Sequence, residues 1–339
     1  MSLSLRVETR AWRQHLQDFA ASVPGLVPVA KGNGYGFRNA TLAVEAQRLH
    51  SDVLALGIAR EAMRILDAGW RGDVVILNPW RPGDRVGTDL LRNPRVITTI
   101  SRPEDLAEVR KINSQARVQL ELGTTMRRHG LRVEDLSSLD FDGVEAFSVH
   151  LPATGSLAEA TELAQGARRA HPTEIWVSHL SVDDYRRFRD SLDGAARMRV
   201  GTRLWLGAPN TLRTTATVLD VHPIRRGDRL GYHQHKAPRD GFIVVASGGT
   251  AHGIALAAPV PQRSMRQRVV TIAQGALDAT GRSLSPFSIG GKKRGFAEPP
   301  HMHSSMIFVP GSDPLVAVGD EIPVTCRMTT TSFDQIVWG

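Results

Sequence analysis

Lys31 ends the apolar run Leu26-Val27-Pro28-Val29-Ala30 and is followed at once by the turn Gly32-Asn33-Gly34-Tyr35-Gly36. A lysine leaving a buried strand is partly desolvated; its pKa falls, and free amine becomes available near neutral pH. Free amine forms imines with carbonyl compounds, which makes Lys31 a candidate nucleophile. The glycines let the backbone pass close to a bound group, and Tyr35 is placed to donate its hydroxyl to a phosphate held in the turn. Six residues alone also fit a solvated lysine capping a strand.

Such a lysine needs a rigid frame. After Leu26–Ala30, apolar runs recur at Val53–Gly57, Val74–Leu77, Val96–Ile100, Val118–Leu122, Val144–Val149, Ile175–Ser178 and Met198–Val200. Helical periodicity lies between them, at Ala40–Leu49, Arg60–Ala68, Pro103–Ile112, Leu157–Ala170 and Asp183–Leu192. Eight strands alternating with helices predict an α/β fold, a closed (β/α)₈ TIM barrel over residues 1–210. From Thr214 onward the runs Thr215–Val221, Gly241–Val245, Ser305–Val309 and Glu321–Thr325 are separated by Gly, Pro and Asp turns, which predicts a mostly β domain over residues 211–339. Only Ser264–Thr280 reads as helical there, and Ser288–Gly295, rich in glycine and base, reads as a mobile loop. Barrel chemistry sits where strands end, and Lys31, Arg128, His150, Arg199 and Gly201 occupy such positions.

The 339 residues carry a formal charge of +8, which suits nucleic acid or anionic small molecules. The densest basic clusters, Arg263–Arg268 and Lys292-Lys293-Arg294, are not interleaved with aromatics, so nucleic-acid binding is not expected. Cys326 is the only cysteine, which leaves no intramolecular disulfide and no cysteine-based zinc site. No apolar run approaches a bilayer span, and Met1–Arg6 lacks the apolar core of a signal peptide; a cytoplasmic location is the expectation.

Several ordered stretches, from about residue 25 to the C-terminus, resemble the fold type III pyridoxal-phosphate enzymes, and among them the alanine racemases. Val29–Gly36 is similar to the family segment whose lysine holds the cofactor and whose tyrosine binds its phosphate; these are Lys31 and Tyr35 here. Leu120–Gly130 resembles the segment whose arginine, here Arg128, contacts the cofactor's phenolic oxygen and the substrate carboxylate, and a guanidinium fork suits two anionic oxygens. The family's usual Asp and Gly are Gly123 and Thr125 in this chain. Glu121 stands where many relatives have a lysine that becomes a carbamate, so it either orients Arg128 or is an ordinary strand glutamate. His150 matches a histidine near the cofactor ring, or is structural. Ser181 matches a phosphate-binding serine, or caps the helix that follows.

Met198–Gly207 resembles the segment whose arginine hydrogen-bonds the pyridine nitrogen and whose following amides bind the phosphate, which implies these roles for Arg199, Gly201 and Thr202. A protonated arginine leaves that nitrogen unprotonated and weakens the electron sink, which favours racemisation. Related decarboxylases place a carboxylate there. A racemase also needs a second acid/base on the opposite face of the reacting carbon. In the family this is a tyrosine of the partner subunit, in a segment like Gly227–Tyr232; Tyr232 is the candidate, and it implies a homodimer with shared sites. His301–Met306 resembles the segment in which a methionine amide, here that of Met302, meets the substrate carboxylate.

His301 and His303 with His233 and His235 have metal-compatible spacing, but neither pair has a third ligand at fixed spacing, and no metal is expected. The family's entrance tyrosine is replaced in Gly249-Thr250-Ala251-His252-Gly253, and the segment Thr329–Gly339 holds no tyrosine. The expectation is therefore a pyridoxal 5'-phosphate-dependent racemase acting on an amino acid other than alanine, larger or basic, or acting weakly. A regulatory protein that binds the cofactor without efficient turnover and an amino-acid decarboxylase are the alternatives.

Overall fold

The computed structural model describes residues 2–256 and 283–339. The basic cluster at 263–268 and the helix expected over 264–280 lie outside the described residues. The chain divides into two compact units, one of residues 13–208 and the other of residues 1–12 together with 209–339. Strand β1 (Leu3–Val7) belongs to the second, and helix α1 (Thr9–Ser22) crosses the boundary.

In the first unit β2 (Leu26–Ala30), β3 (Val53–Leu56), β4 (Asp73–Ile76), β5 (Val96–Ile100), β6 (Val118–Leu122), β7 (Val144–His150), β8 (Glu174–Ser178) and β9 (Ala196–Val200) close into a parallel barrel. These are the eight apolar runs of the sequence. A barrel strand covered by helices outside and packed side chains inside is buried on both faces, which is why it reads as a continuous apolar run. Every residue of β3, β5 and β6 is buried. Val27, Val29, Val53, Ala55, Val75, Ile97, Ala146 and Trp176 form one cluster. Residues from six strands around a closed barrel can meet only in its interior.

The crossovers are α2 (Asn39–Arg48), α3 (Ala59–Asp67), α4 (Arg85–Leu90), α5 (Pro103–Ile112), α6 (Leu157–Ala170) and α7 (Val182–Asp190), with the four-residue α8 (Thr202–Trp205) after β9. Their starts are set locally. Asp84, Ser156 and Ser181 accept hydrogen bonds from Gly87, Glu159 and Asp184 amides, and Pro103 opens α5.

Charges close the foot of the barrel, at the N-terminal ends of the strands. Arg117 pairs with Asp73 at 2.7 Å and also with Glu145. Arg197 lies 2.6 Å from Asp52 and 3.3 Å from Glu174, with its guanidinium over the Trp176 ring.

The second unit is built on a sheet in the order β14 (Leu284–Ile289), β15 (Lys292–Phe296), β16 (Ser304–Pro310), β13 (Gly241–Ser247), β10 (Leu212–Ile224), β1 and β18 (Gln335–Trp338). β17 (Glu321–Pro323) also pairs with β10, and β11 (Arg229–Leu230) forms a hairpin with β12 (His235–Lys236). Two differences from the sequence reading stand out. The first residues, counted with the barrel above, run antiparallel to β10 and parallel to β18, so hydrogen bonds tie them to the other unit. The stretch 288–295, read as a mobile loop, is instead the β14–β15 hairpin; Gly290 and Gly291, at φ 61° and 72°, make the tight turn that such a hairpin needs.

Among the described residues no helix is long and apolar enough to cross a membrane. Replacing Arg117 with alanine would strand two carboxylates at the foot of the barrel. The expected result is a loss of about 2 kcal/mol in urea denaturation, with no change in the chemistry at the opposite end.

Candidate active site

Lys31 is the first residue beyond β2, at the C-terminal mouth of the barrel. The turn it begins is tight: the Gly34 amide donates to the Lys31 carbonyl at 3.1 Å, and a side chain at Gly34 would strike the Asn39 backbone. Tyr35 adopts a left-handed conformation (φ 54°) and is buried. Its hydroxyl lies against Gly201, where even a Cβ atom would overlap it, so glycine is required at that position. Gly201 immediately precedes α8, whose first amides have no intrahelical acceptor. A phenol and free helix amides therefore share one place, a donor set suited to a phosphate. Burial, reinforced by Glu61, pushes the Tyr35 phenol up to about 12, so it remains a neutral donor.

Charge is concentrated around Lys31. The lysine opens to solvent at the mouth, yet the surrounding protein strips water from its amine, and Arg128 and Arg199 repel its proton; all three effects lower its pKa, against Glu61. Arg199, near the end of β9, is only 7% exposed, and its Nε and Nη2 have no partner. Burial brings its pKa down to about 10, with Arg128 adding to the fall and the buried Glu121 opposing it; the guanidinium is still charged at neutral pH. Unpartnered buried donors cost about 1–3 kcal/mol, and they mark where an acceptor belongs. Arg128 donates to Glu121 at 3.2 Å, so the glutamate orients the arginine and is not an idle strand residue.

His150 ends β7, with Nδ1 2.8 Å from the Ser178 hydroxyl and its ring edge-on to His179 at 5.1 Å. Burial first, then Arg199, Arg128, His179 and Lys31, press its pKa down to about 3. The ring is neutral in the working range.

Ser181, which the sequence offered as a phosphate ligand or as a helix cap, takes the second role in this structure. Its hydroxyl caps α7, accepting from the Asp184 amide at 3.0 Å and donating to the Asp184 carboxylate at 2.8 Å. Thr202 is the first residue of α8, beside Gly201. Three residues at the mouth escaped the sequence reading. Ser178 and His179 close β8 and follow it, and the strand-end rule that found His150 would have found them. Glu61, in the first turn of α3, accepts from the Gly32 and Gly57 amides, each at 2.8 Å. Its signal was an acidic residue early in a helix that follows a strand.

The second unit gathers its own candidates. Tyr232, Thr250, Glu298, His301 and Met302 line a cleft of about 350 Å³ together with His233, Pro299 and Pro300. Tyr232 is 83% exposed and Met302 66%. Glu298, 5% exposed, accepts from the Tyr232 amide at 2.7 Å and from His301 Nε2 at 2.6 Å; the His301 ring lies 4.8 Å from that of Tyr232. The Thr250 and Ala251 amides donate to the His301 and Met302 carbonyls, each at 2.9 Å. His301 is thus paired with a carboxylate, and among the described residues no group of three or more His, Cys, Asp or Glu could hold a metal. His252, in the segment that lacks the entrance tyrosine, accepts from the Gly249 amide and lies 3.0 Å from Asp334, which ties the segment to the C-terminus.

Residues 7–140 match the family described as alanine racemase, N-terminal domain. No curated protein sequence matches the chain. Its fold is similar to that of alanine racemase from E. faecalis, at 17% identity and a TM-score of 0.70, covering 99% of this chain and 98% of that one. It is similar also to alanine racemase from Bartonella henselae with covalently bound pyridoxal phosphate, at 14% identity and a TM-score of 0.74 over all of both chains. Histidine racemase from Leuconostoc mesenteroides subsp. sake is 15% identical with a TM-score of 0.67, over 100% of this chain and 97% of that one. At these identities the likeness is one of fold.

The low pKa of His150 has a consequence for stability. Between about pH 6.5 and 3 the unfolded chain takes up a proton that the folded chain refuses, so this histidine costs stability progressively as pH falls through that window. A His150→Gln variant should show a flatter loss of stability between pH 6 and 4 than the parent in denaturant titrations. Unchanged slopes would place the histidine outside this cationic cluster.

Proposed function

We propose that this protein is a divergent member of the alanine racemase family, a homodimeric pyridoxal-phosphate-dependent enzyme that interconverts the L- and D-forms of an amino acid. The observation that carries the reading is the buried Arg199 with two unpartnered nitrogens, at the same barrel mouth as a desolvated Lys31 and the contact of Tyr35 with Gly201. That donor set fits the cofactor. Lys31 would hold it covalently, Tyr35 with the Gly201 and Thr202 amides its phosphate, Arg199 its ring nitrogen, Arg128 its phenolic oxygen, and His150 would lie beside the ring. Bound there, pyridoxal phosphate supplies an electron sink that acidifies the α-carbon proton of an attached amino acid.

The chain's own residues explain the direction of the chemistry. Arg199 stays protonated at neutral pH and can only donate, so the ring nitrogen receives a hydrogen bond and no proton. That weak sink disfavours decarboxylation and suits a proton that is removed and returned. Lys31, as free amine, takes the α-proton of the D-isomer. Tyr232 of a second copy exchanges the proton of the L-isomer from the opposite face, and the high exposure of its phenol suits a group offered across a subunit interface. Arg128, steered by Glu121, binds the substrate carboxylate, and the Met302 amide adds a donor to it. Threonine at 250, on the cleft beside Tyr232, removes bulk and leaves room for a side chain larger than methyl.

Three outcomes test this reading. A Lys31→Ala variant should lose the visible absorbance band of the cofactor-loaded protein and lower turnover by about 10³-fold or more. With Tyr232→Phe, α-proton exchange into deuterated water should persist from the D-isomer and collapse from the L-isomer. Across a panel of L-amino acids the best substrate should carry a side chain larger than that of alanine; alanine as the clear best would overturn the inference from Thr250. Carbon dioxide release in the same assay would reassign the protein as a decarboxylase, and a bound cofactor without any exchange would make it a binding protein.

A further inference from the structure

We propose that Glu61 is a positioning residue for Lys31, pinning the turn that carries the lysine to the next barrel loop and keeping a carboxylate near the lysine stem. The inference rests on the reading of Lys31 as the reactive lysine. Glu61 lies in the first turn of α3, and ordinary helix capping accounts for one of its oxygens: Oε2 accepts from the Gly57 amide at 2.8 Å and the Ile58 amide at 3.4 Å. Oε1 does something capping does not require. It leaves its own loop and accepts from the amide of Gly32, the residue after Lys31, at 2.8 Å.

The sequence of the turn gives that bond its importance. Three of the five residues after Lys31 are glycine, all at positive φ, and such a turn is entropically loose unless something outside it holds it. The charge is close as well. A methyl group placed on Gly57 would touch Glu61 Oε2 at 2.9 Å and Lys31 Cβ at 3.1 Å, so carboxylate and lysine stem lie on either side of one point. The groups that face Lys31 from other elements are Arg128 after β6, His150 on β7, His179 after β8 and Arg199 on β9. Burial first and then the two arginines lower its pKa, His150 is held neutral, the pKa of His179 is pushed down, and Glu61 opposes the arginines. Glu61 thereby sets how much free amine Lys31 presents at a given pH and the direction from which it is presented.

Competitive acetylation of the cofactor-free protein with acetic anhydride across pH 6–11, read on the Lys31 peptide by mass spectrometry, measures the amine without turnover. In Glu61→Gln the midpoint should move down by about one pH unit, about tenfold more free amine on the acidic flank. Amide hydrogen exchange in the peptide carrying Gly32 should also accelerate. An unchanged midpoint overturns the proposal. Glu61→Asp provides the second arm should the glutamine variant fail to fold. It keeps the charge on a shorter stem, so exchange should accelerate while the midpoint stays within about 0.3 unit, and a shift as large as a full unit overturns the proposal. Because no cofactor is present, this experiment can fail while the absorbance band still places the cofactor on Lys31, and the reverse holds equally.

Discussion

Arg199 carries a buried positive charge that its own chain only half satisfies, and much of the barrel mouth is arranged by the need to tolerate it. Glu121, itself buried, is the compensating carboxylate, and it also holds Arg128. Two arginines and a lysine gathered at the barrel mouth repel one another's protons, and the weakest acid of the group, arginine, keeps its own. The strain is passed to the groups that can release it. Burial and the arginines together lower the pKa of Lys31 and hold His150 neutral at any pH the protein meets in normal work. A lysine of lowered pKa, an obligate donor and a neutral ring thus arise from burial and mutual repulsion at one barrel mouth.

The two ends of the barrel handle charge in opposite ways. At the foot every arginine named above meets carboxylates in close pairs, and nothing is left for a ligand to do. At the mouth donors outnumber acceptors: Arg199 lacks partners for two nitrogens, the first amides of α8 have none within the helix, and Tyr35 is buried with a hydroxyl that a single glycine makes room for. Stability concentrated at one end supports unsatisfied polarity at the other, a division of labour common to this architecture.

Much of this was legible in the amino-acid sequence because its causes are local. Strands buried on both faces write themselves as apolar runs, so all eight barrel strands could be read, and the residues ending them named most of the mouth. Lys31, Tyr35, Arg199 and Gly201 stood in short segments at strand ends that resemble, in their order along the chain, those of a known family. What stayed hidden depended on distant partners or on geometry. β1 is a five-residue strand whose identity comes from pairing with chain more than two hundred residues away, and nothing within it announces which unit it joins. The Ser181 hydroxyl fitted two roles in the sequence, and its bonds to Asp184, which show the capping one, depend on how α7 begins. Glu61 looked like a first-turn glutamate, and only the fold shows that its second oxygen reaches the turn behind Lys31. Tyr232, Thr250 and Met302 are far apart in sequence, yet the loop contacts of the β unit set them around one cleft.

The most direct measurement is chemical. Borohydride reduction of the protein loaded with pyridoxal phosphate, followed by peptide mapping, asks which of its five lysines carries the cofactor. Label confined to Lys31 is the expected result. Label on Lys111, Lys236, Lys292 or Lys293, or no label at all, would contradict the assignment of the barrel mouth as the catalytic site.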